Sequence, residues 1–324
     1  MSTPTTTDGL SRRAFLLRAL SALPLLSSRT WAAALAALGD EGPGNFAAVY
    51  GDEKQRDKFF RFLQVVFNLY PEDRFHQLII DLVAERKTDK AVYLGLQEKL
   101  PGIDSFLSPV TYALPALKVQ KEEMVRQTLE FLGPGPAVDG YVEIGSPARY
   151  ASLLRRRARV KGPVFIVNDY EPSYSPVDLM ERGGLAKLGS FIPLGNYDPL
   201  PADRVPDASV DLVGNYIGFH HSPKDRLGGF IASIRRVLKP GGRLVLRDHD
   251  VPNKAMTDMV ALAHDVFNAG VKLTWEDNHA QLRHFRSIAE WSEILSKSGF
   301  RREGRPLAQA GDPTDNLLVS FVKA

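Results

Sequence analysis

The segment PDASVDLVGNYIGFHH, residues 206–221, combines a turn, a buried β-branched strand and a pair of histidines. A helical pattern follows it, KDRLGGFIASIRRVLKPGG (224–242), and ends at a Lys-Pro-Gly-Gly stop before the apolar run RLVLRDHDV (243–251). Parallel strands need a long crossover connection, which is usually a helix. Strand, helix and strand in this order therefore predict a parallel sheet with helices on its faces.

The same alternation extends in both directions from this segment. Upstream, three short apolar runs predict strands, and two helical patterns separate them: GYVEIG (140–145), YASLLRRRA (150–158), PVFIVND (163–169), PVDLMERGG (176–184) and GSFIPLGN (189–196). Downstream, two helices are predicted, NKAMTDMVALAHDVFNAG (253–270) and SIAEWSEILSKSGF (287–300), the second leading into FRREGRPL. In the former, Met256, Met259, Val260, Ala263 and Phe267 form a core-facing stripe. The chain closes on NLLVSFVKA (316–324), for which we predict an antiparallel edge strand.

A helical region precedes the sheet. Residues 53–132 carry apolar side chains at three- and four-residue spacing, which predicts four to five helices, the last ending at Gly133. The turn-rich stretch GPGPAVDG (133–140) marks the boundary. We predict three units: a signal peptide over 1–36, a helical cap or lid over 37–132 and the sheet domain over 133–324.

The N-terminus resembles a twin-arginine export signal, on the residues Ser11, Arg12, Arg13, Phe15 and Leu16. Arg18 interrupts the apolar stretch, so we expect no stable membrane span once the signal is removed. Small residues over 32–36 suit a signal peptidase. The resemblance implies the twin-arginine machinery as a partner and a periplasmic or otherwise extracytoplasmic location; an ordinary amphipathic leader is the alternative.

Composition narrows the function classes. The 324-residue chain has a formal net charge of +3 and no cysteine, which excludes disulfides, thiolate metal sites and a cysteine nucleophile. The densest basic run, LLRRRARVK (153–161), reads as a solvated helix end without interleaved aromatics. We therefore expect no nucleic-acid partner.

Two segments carry a family resemblance. Their matching residues are Pro206, Asp207, Ser209, Asp211, His220 and His221, followed by Arg236, Leu238, Lys239, Pro240, Gly241 and Gly242. On these residues the chain resembles class I S-adenosylmethionine-dependent methyltransferases over about 138–324. The resemblance implies an α/β fold with a Rossmann-like, doubly wound, mostly parallel seven-stranded sheet whose last strand is antiparallel. It also implies S-adenosylmethionine as the cofactor.

The resemblance assigns cofactor-binding residues at the carboxyl ends of the strands. Asp169 would bind the ribose hydroxyls, with Glu171 as a possible substitute. The others are Glu143, Gly145 and Ser146 in the first turn, Asn196 and Tyr197 near the adenine, and Asn215 and Tyr216 by the methionine part. The family pattern E-x-G-x-G-x-G is replaced here by Glu-Ile-Gly-Ser-Pro-Ala-Arg (143–149), in which Ser146 has the residue type of a helix cap. A non-catalytic binding or assembly factor on the same fold therefore stays an alternative.

Candidate catalytic residues lie after strands four and five. His249 is the predicted general base, because neighbouring Asp248 can orient its ring and tune its pKa; His221 belongs to the pair that we place at the end of strand four. The loop HAQLRHFRS (279–287) would cover the pocket, with Arg283 and Arg286 available to an anionic substrate. We expect a small-molecule or lipid-like methyl acceptor; the sequence identifies neither this acceptor nor the oligomeric state.

A metal site is the remaining alternative. Potential ligands are Asp248, His249, Asp250, His264, His279 and His284. His279 and His284 are five residues apart and would not share a helical face, and no H-x-x-x-H motif occurs. We therefore predict no metal ligand, and a His/Asp metal-dependent enzyme stays a further alternative.

Overall fold

The computed structural model describes residues 44–67, 70–103 and 114–324. The predicted export signal lies outside the described residues, so it stays a prediction. Within the described part, no helix is both long and apolar enough to cross a membrane.

Seven strands form one sheet in the order β3-β2-β1-β4-β5-β7-β6. The strands are β1 (Asp139–Ile144), β2 (Lys161–Asn168), β3 (Ser190–Pro193), β4 (Val210–Asn215), β5 (Leu238–His249), β6 (Phe300–Ala308) and β7 (Asn316–Lys323). β1 to β5 pair in parallel, whereas β7 runs antiparallel to both β5 and β6. This confirms the predicted Rossmann-like, doubly wound sheet with an antiparallel last strand.

The position of β7 corrects the prediction of an edge strand. β7 lies between β5 and β6, and its residues 318–321 are buried. On this side of the sheet the edge strand is β6, where Arg301 and Arg302 are exposed. Pro306 has no backbone N–H to donate to a neighbouring strand. Charged residues and proline are common on edge strands because they discourage pairing with another chain.

Helices cover both faces of the sheet. On one face, Tyr141 and Leu212 pack with α5 (Leu114–Leu132) and α6 (Ala151–Arg157). On the other, Val142 and Val213 pack with α8 (Lys224–Val237) and α11 (Ile288–Lys297). Burial on both faces is why the central strands are continuous apolar runs in the sequence. The other helices after β1 are α7 (Pro176–Arg182), α9 (Lys254–Gly270) and α10 (Trp275–Ala280).

The helical region packs on α9. It comprises α1 (Asn45–Tyr50), α2 (Glu53–Phe62), α3 (Glu72–Glu85) and α4 (Asp89–Lys99), with a π-helical segment Leu63–Phe67 and a 3-10 segment Leu100–Gly102. Aromatic side chains such as Phe59, Phe67 and Phe75 share a core with Met259 and Ala263 of α9. The predicted apolar stripe of α9 is therefore core-facing. By contrast α5, predicted as the last helix of the cap, packs on the sheet.

Two element boundaries differ from the prediction. β4 ends at Asn215, so His220 and His221 lie in the turn that follows the strand and not at its end. α8 ends at Val237, and the Lys-Pro-Gly-Gly stretch belongs to the start of β5. The longer turn after β4 lets both histidines fold back over the end of β5.

Candidate functional site

The strand order reverses between β1 and β4, which lie side by side. In doubly wound sheets the ligand crevice opens at this reversal, beyond the carboxyl ends of the strands. The turns after β1, β2, β3 and β4 therefore form the candidate cofactor side, and the turns after β4 and β5 the candidate acceptor side.

Glu143 organises the turn after β1 from inside the protein. Its buried carboxylate accepts hydrogen bonds from the Tyr141 hydroxyl (3.0 Å), the Tyr150 backbone N–H (3.2 Å) and the Ser146 hydroxyl. Burial raises the pKa of Glu143, and these hydrogen bonds oppose the rise. Ser146 accepts in turn from the Arg149 backbone N–H at 3.1 Å, so it stabilises the turn and does not cap α6, which begins at Ala151.

Arg149 fixes the same turn to α7. Its guanidinium binds both carboxylate oxygens of Glu181, from Nε at 2.6 Å and from Nη2 at 2.7 Å. Both side chains are only 2% exposed. A buried bidentate ion pair therefore stands beside a turn in which the family pattern would place glycines.

Gly145 is the one glycine of the turn. Its φ of 86° is in the left-handed region, and its N–H donates to the Val167 carbonyl at 2.8 Å. A Cβ added at Gly145 would lie 2.3 Å from Cγ2 of Ile217, in the turn after β4. The Ile217 side chain thus packs directly on the backbone that the resemblance assigns to the cofactor.

Asp169, the first residue after β2, is the most distinctive polar group on this side. Its carboxylate is partly buried and has no hydrogen-bond partner among the residues that the structure describes. Burial alone raises its pKa to about 6. Glu171, the predicted substitute, is exposed and pairs with Lys187 at 3.2 Å. Of the two carboxylates, Asp169 is the one that still lacks a partner for its charge.

The remaining predicted cofactor residues differ in accessibility. Asn196 is partly buried, with φ 57°, whereas Tyr197 is fully buried against Phe230. Asn215 folds its amide into its own turn, accepting from Ile217 N–H at 3.2 Å. Tyr216 is buried on the α5 side, with its hydroxyl 3.0 Å from Thr128 Oγ1. Tyr197, Asn215 and Tyr216 therefore have structural roles in the fold.

On the acceptor side, Asp248 has a different partner from the one that was predicted. Its carboxylate accepts from His220 Nδ1 at 2.7 Å and from the Phe219 N–H at 2.8 Å, and it does not orient the His249 ring. His249 Nδ1 instead donates to the Thr314 carbonyl at 2.9 Å. Burial, together with the neighbouring His220, lowers the pKa of His249 to about 4. A neutral His249 presents its Nε2 lone pair at neutral pH.

Two more histidines lie beside Asp248, His220 and His249, and the sequence did not predict that these rings meet. His221 and His264 lie against His220, with ring centroids 4.2 and 5.3 Å from it. All three are buried. Burial and the neighbouring His220 lower the pKa of both His221 and His264 well below the usual value. The signal in the sequence is the occurrence of three polar residues, His264, Asp265 and Asn268, within the mostly apolar second half of α9.

The loop 279–287 covers this group, and its two arginines already contact other residues of the protein. Phe285 packs on His220 with ring centroids 5.2 Å apart. Arg283 forms an ion pair with Asp265 at 2.7 Å, and the Arg286 guanidinium lies over the Trp291 ring. The expectation that Arg283 is available to an anionic substrate is therefore wrong.

Residues 188–246 match the family model of a methyltransferase domain. No curated protein matches the chain in sequence. Similar solved structures include 1,6-didemethyltoxoflavin-N1-methyltransferase from Burkholderia thailandensis, with 15% identity, 64% of this chain and 79% of that chain covered, and a TM-score of 0.42. An S-adenosylmethionine-dependent methyltransferase from Mesorhizobium loti has 14% identity, coverage of 64% and 99%, and a TM-score of 0.44. One from Aquifex aeolicus has 16% identity, coverage of 66% and 100%, and a TM-score of 0.41.

The resemblance in the sequence implies S-adenosylmethionine as the cofactor, and the crevice can be compared with what that molecule needs. Asp169 fits, because its partly buried carboxylate, unpaired in the described part of the chain, suits the ribose hydroxyls, which donate hydrogen bonds. The turn after β1 fits on one condition. A ligand that lies against Gly145 needs the Ile217 side chain to rotate away from that position.

Proposed function

We propose that the chain is an exported S-adenosylmethionine-dependent methyltransferase whose acceptor binds at the carboxyl ends of β4 and β5. The methyltransferase-domain match over 188–246 supports the reaction class. The observation that carries the cofactor assignment is the carboxylate of Asp169, just after β2, which has no hydrogen-bond partner within the described ranges. A small or lipid-like acceptor is the class that we propose.

Each side of the crevice has a task in this proposal. When bound, the cofactor supplies a methyl group on a positively charged sulfur. Asp169 accepts hydrogen bonds from the ribose hydroxyls, and Glu143 holds the turn after β1 in place. His249 Nε2 takes the proton that the acceptor loses when it is methylated. With its pKa lowered to about 4, His249 is neutral at neutral pH and offers its Nε2 lone pair as a weak base.

Binding of S-adenosylhomocysteine tests the cofactor assignment. We expect Asp169→Ala to weaken binding at least tenfold, or by about 1.4 kcal/mol, in calorimetric titration of the purified chain. Glu171→Ala is the matched control, because Glu171 lies two residues away and pairs with Lys187 on the surface. It should bind as the wild type does. Equal affinity of the Asp169→Ala variant would remove Asp169 from the site.

A second candidate is a non-catalytic binding protein on the same fold. The observation in its favour is the Ile217 side chain on Gly145, which occupies the cofactor side of the turn. The same titration separates the two candidates when Ile217→Ala is added. No binding by either the wild type or Ile217→Ala at millimolar ligand would favour the non-catalytic protein.

Export through the twin-arginine route is also proposed, on the residues Ser11, Arg12, Arg13, Phe15 and Leu16. That route carries folded proteins, and a cysteine-free chain folds independently of the redox compartment. Replacing Arg12 and Arg13 with Lys should retain the protein in the cytoplasm when cells are fractionated. Unchanged delivery outside the cytoplasm would contradict this route.

A further inference from the structure

We propose that His220, His221 and His264 form a metal site in which their three Nε2 atoms bind one Zn²⁺ ion. One ligand nitrogen from each ring lies within 4.8 Å of the others. The rings come from two places in the fold, the turn after β4 and the middle of α9, and all three are buried. The proposal does not depend on methyl transfer.

The hydrogen bonds of the rings leave each Nε2 ready to bind a metal. The Nδ1 atoms contact the Asp248 carboxylate at 2.7 Å (His220), the Leu282 carbonyl at 2.9 Å (His221) and the Val260 carbonyl at 2.8 Å (His264). These acceptors carry no hydrogen, so each Nδ1 is the donor in its contact, and Nε2 is the ring nitrogen left for a metal. Metal-binding histidines are oriented in the same way, by a carboxylate or carbonyl on the other nitrogen.

The spacing between two of these atoms favours a bound cation. Nε2 of His220 lies 3.3 Å from Nε2 of His264. Two lone pairs that face each other at this distance repel unless a cation or a proton lies between them. Two nitrogen ligands at about 2.0–2.1 Å from a tetrahedral zinc ion are about 3.3 Å apart. The contact therefore has the length of one edge of a zinc tetrahedron.

His221 supplies an independent observation. Its Nε2 is buried and has no hydrogen-bond partner among the residues that the structure describes. Leaving a buried acceptor without a partner costs free energy. A metal ion shared with His220 and His264 would satisfy all three nitrogens at once.

The backbone is shaped to hold this arrangement. Gly218 has a φ of 77°, and a Cβ there would lie 2.7 Å from both Asp248 Oδ2 and His220 Nδ1. A side chain at Gly218 would therefore displace the carboxylate that orients His220. The absence of a Cβ lets the turn bring His220 onto Asp248.

The donor set decides which ion fits. Neutral imidazoles suit zinc and other late transition metals, whereas magnesium and calcium prefer oxygen ligands. Three protein ligands leave a fourth position for water or substrate, as in catalytic zinc sites. The loop 279–287 forms one wall of the histidine cluster through Phe285, which is partly exposed. Its ring centroid is 5.2 Å from those of His220 and His264.

Metal titration of the full chain tests the proposal. After dialysis against a chelator, Zn²⁺ should bind at one ion per chain in calorimetry, and Co²⁺ should give the intense visible absorption of a tetrahedral site. His221→Ala and His264→Ala should each lower the Zn²⁺ affinity at least 100-fold. His279→Ala is the matched control, because His279 is exposed and stacks on Trp275, with ring centroids 5.4 Å apart; it should bind as the wild type does.

A second measurement needs no variant, which keeps the test valid if the substitutions impair folding. In ¹⁵N spectra of the wild type, Zn²⁺ should shift the Nε2 resonances of three histidines. If a proton shared by His220 and His264 satisfies the contact instead, Zn²⁺ leaves these resonances unchanged. Unchanged resonances, or wild-type affinity no higher than that of His221→Ala, would overturn the proposal.

Discussion

Replacing Glu181 with Ala is expected to lower the free energy of unfolding by about 3–5 kcal/mol, because it removes the carboxylate that balances the buried charge of Arg149. Arg149 stays protonated at any pH at which the protein folds. Its guanidinium is 2% exposed, so water cannot replace the lost carboxylate. The loss should appear in urea denaturation followed by far-UV circular dichroism.

An exposed pair in the same region provides the control. Glu171 and Lys187 are 63% and 43% exposed, and such surface pairs contribute about 0–1 kcal/mol. Glu171→Ala should therefore unfold nearly as the wild type does. The double variant Arg149→Met with Glu181→Leu should recover most of the loss, since an apolar pair of similar volume often replaces a buried ion pair without cost. Equal losses in Glu181→Ala and Glu171→Ala would contradict a structural role for the buried pair.

The expected loss connects the unusual turn sequence to its structure. A glycine-rich turn keeps its backbone open to a ligand, whereas this turn holds Pro147, Ala148 and Arg149. Ala148 is buried with a φ of 70°, an unfavourable conformation for a residue with a side chain. The Arg149–Glu181 pair and the hydrogen bonds to Glu143 hold the turn in this conformation.

The sequence predicted the fold well because burial leaves a periodic record in the chain. Runs such as FIVN and LVGN are buried from both faces, and the helices between them carry apolar stripes. The apolar periodicity says less about which strands are neighbours in the sheet. The prediction of an edge strand for LLVSFV is wrong, since a continuous apolar run is typical of an inner strand, and FRREGRP carries the charges of an edge.

The candidate site was harder to predict because its contacts join distant segments. The acidic residue after β2 follows from strand position alone, and Asp169 lies there. The hydrogen-bond partner of Asp248 does not follow from strand position, because both His220 and His249 are plausible partners. The turn geometry at Gly218 decides between them. The approach of His264 to His220 depends on how α9 is rotated about its axis against the sheet. The spacing of residues along the chain does not predict this rotation.

Asp248→Asn is expected to lower the free energy of unfolding by about 2–4 kcal/mol, as buried hydrogen-bond donors lose their acceptor. The carboxylate accepts from the Phe219 N–H on Oδ2, and from His220 Nδ1 and the His249 N–H on Oδ1. An amide of the same shape has one acceptor oxygen, so its NH₂ group must face at least one of these donors. Asp225→Asn, at an exposed position in the first turn of α8, is the control and should cost a few tenths of a kcal/mol.

The same substitution should weaken Zn²⁺ binding about 10–100-fold, because Asp248 holds the His220 proton on Nδ1. An amide oxygen is a weaker acceptor than a carboxylate oxygen, so Asp248→Asn holds the His220 ring and its Nδ1 proton less firmly. Zn²⁺ should therefore raise the denaturation midpoint of the wild type more than that of Asp248→Asn, since the stabilisation by a ligand grows with the logarithm of its affinity for the folded state. Equal midpoint shifts in both proteins would mean that the ion binds without His220, and the carboxylate would then serve the fold alone.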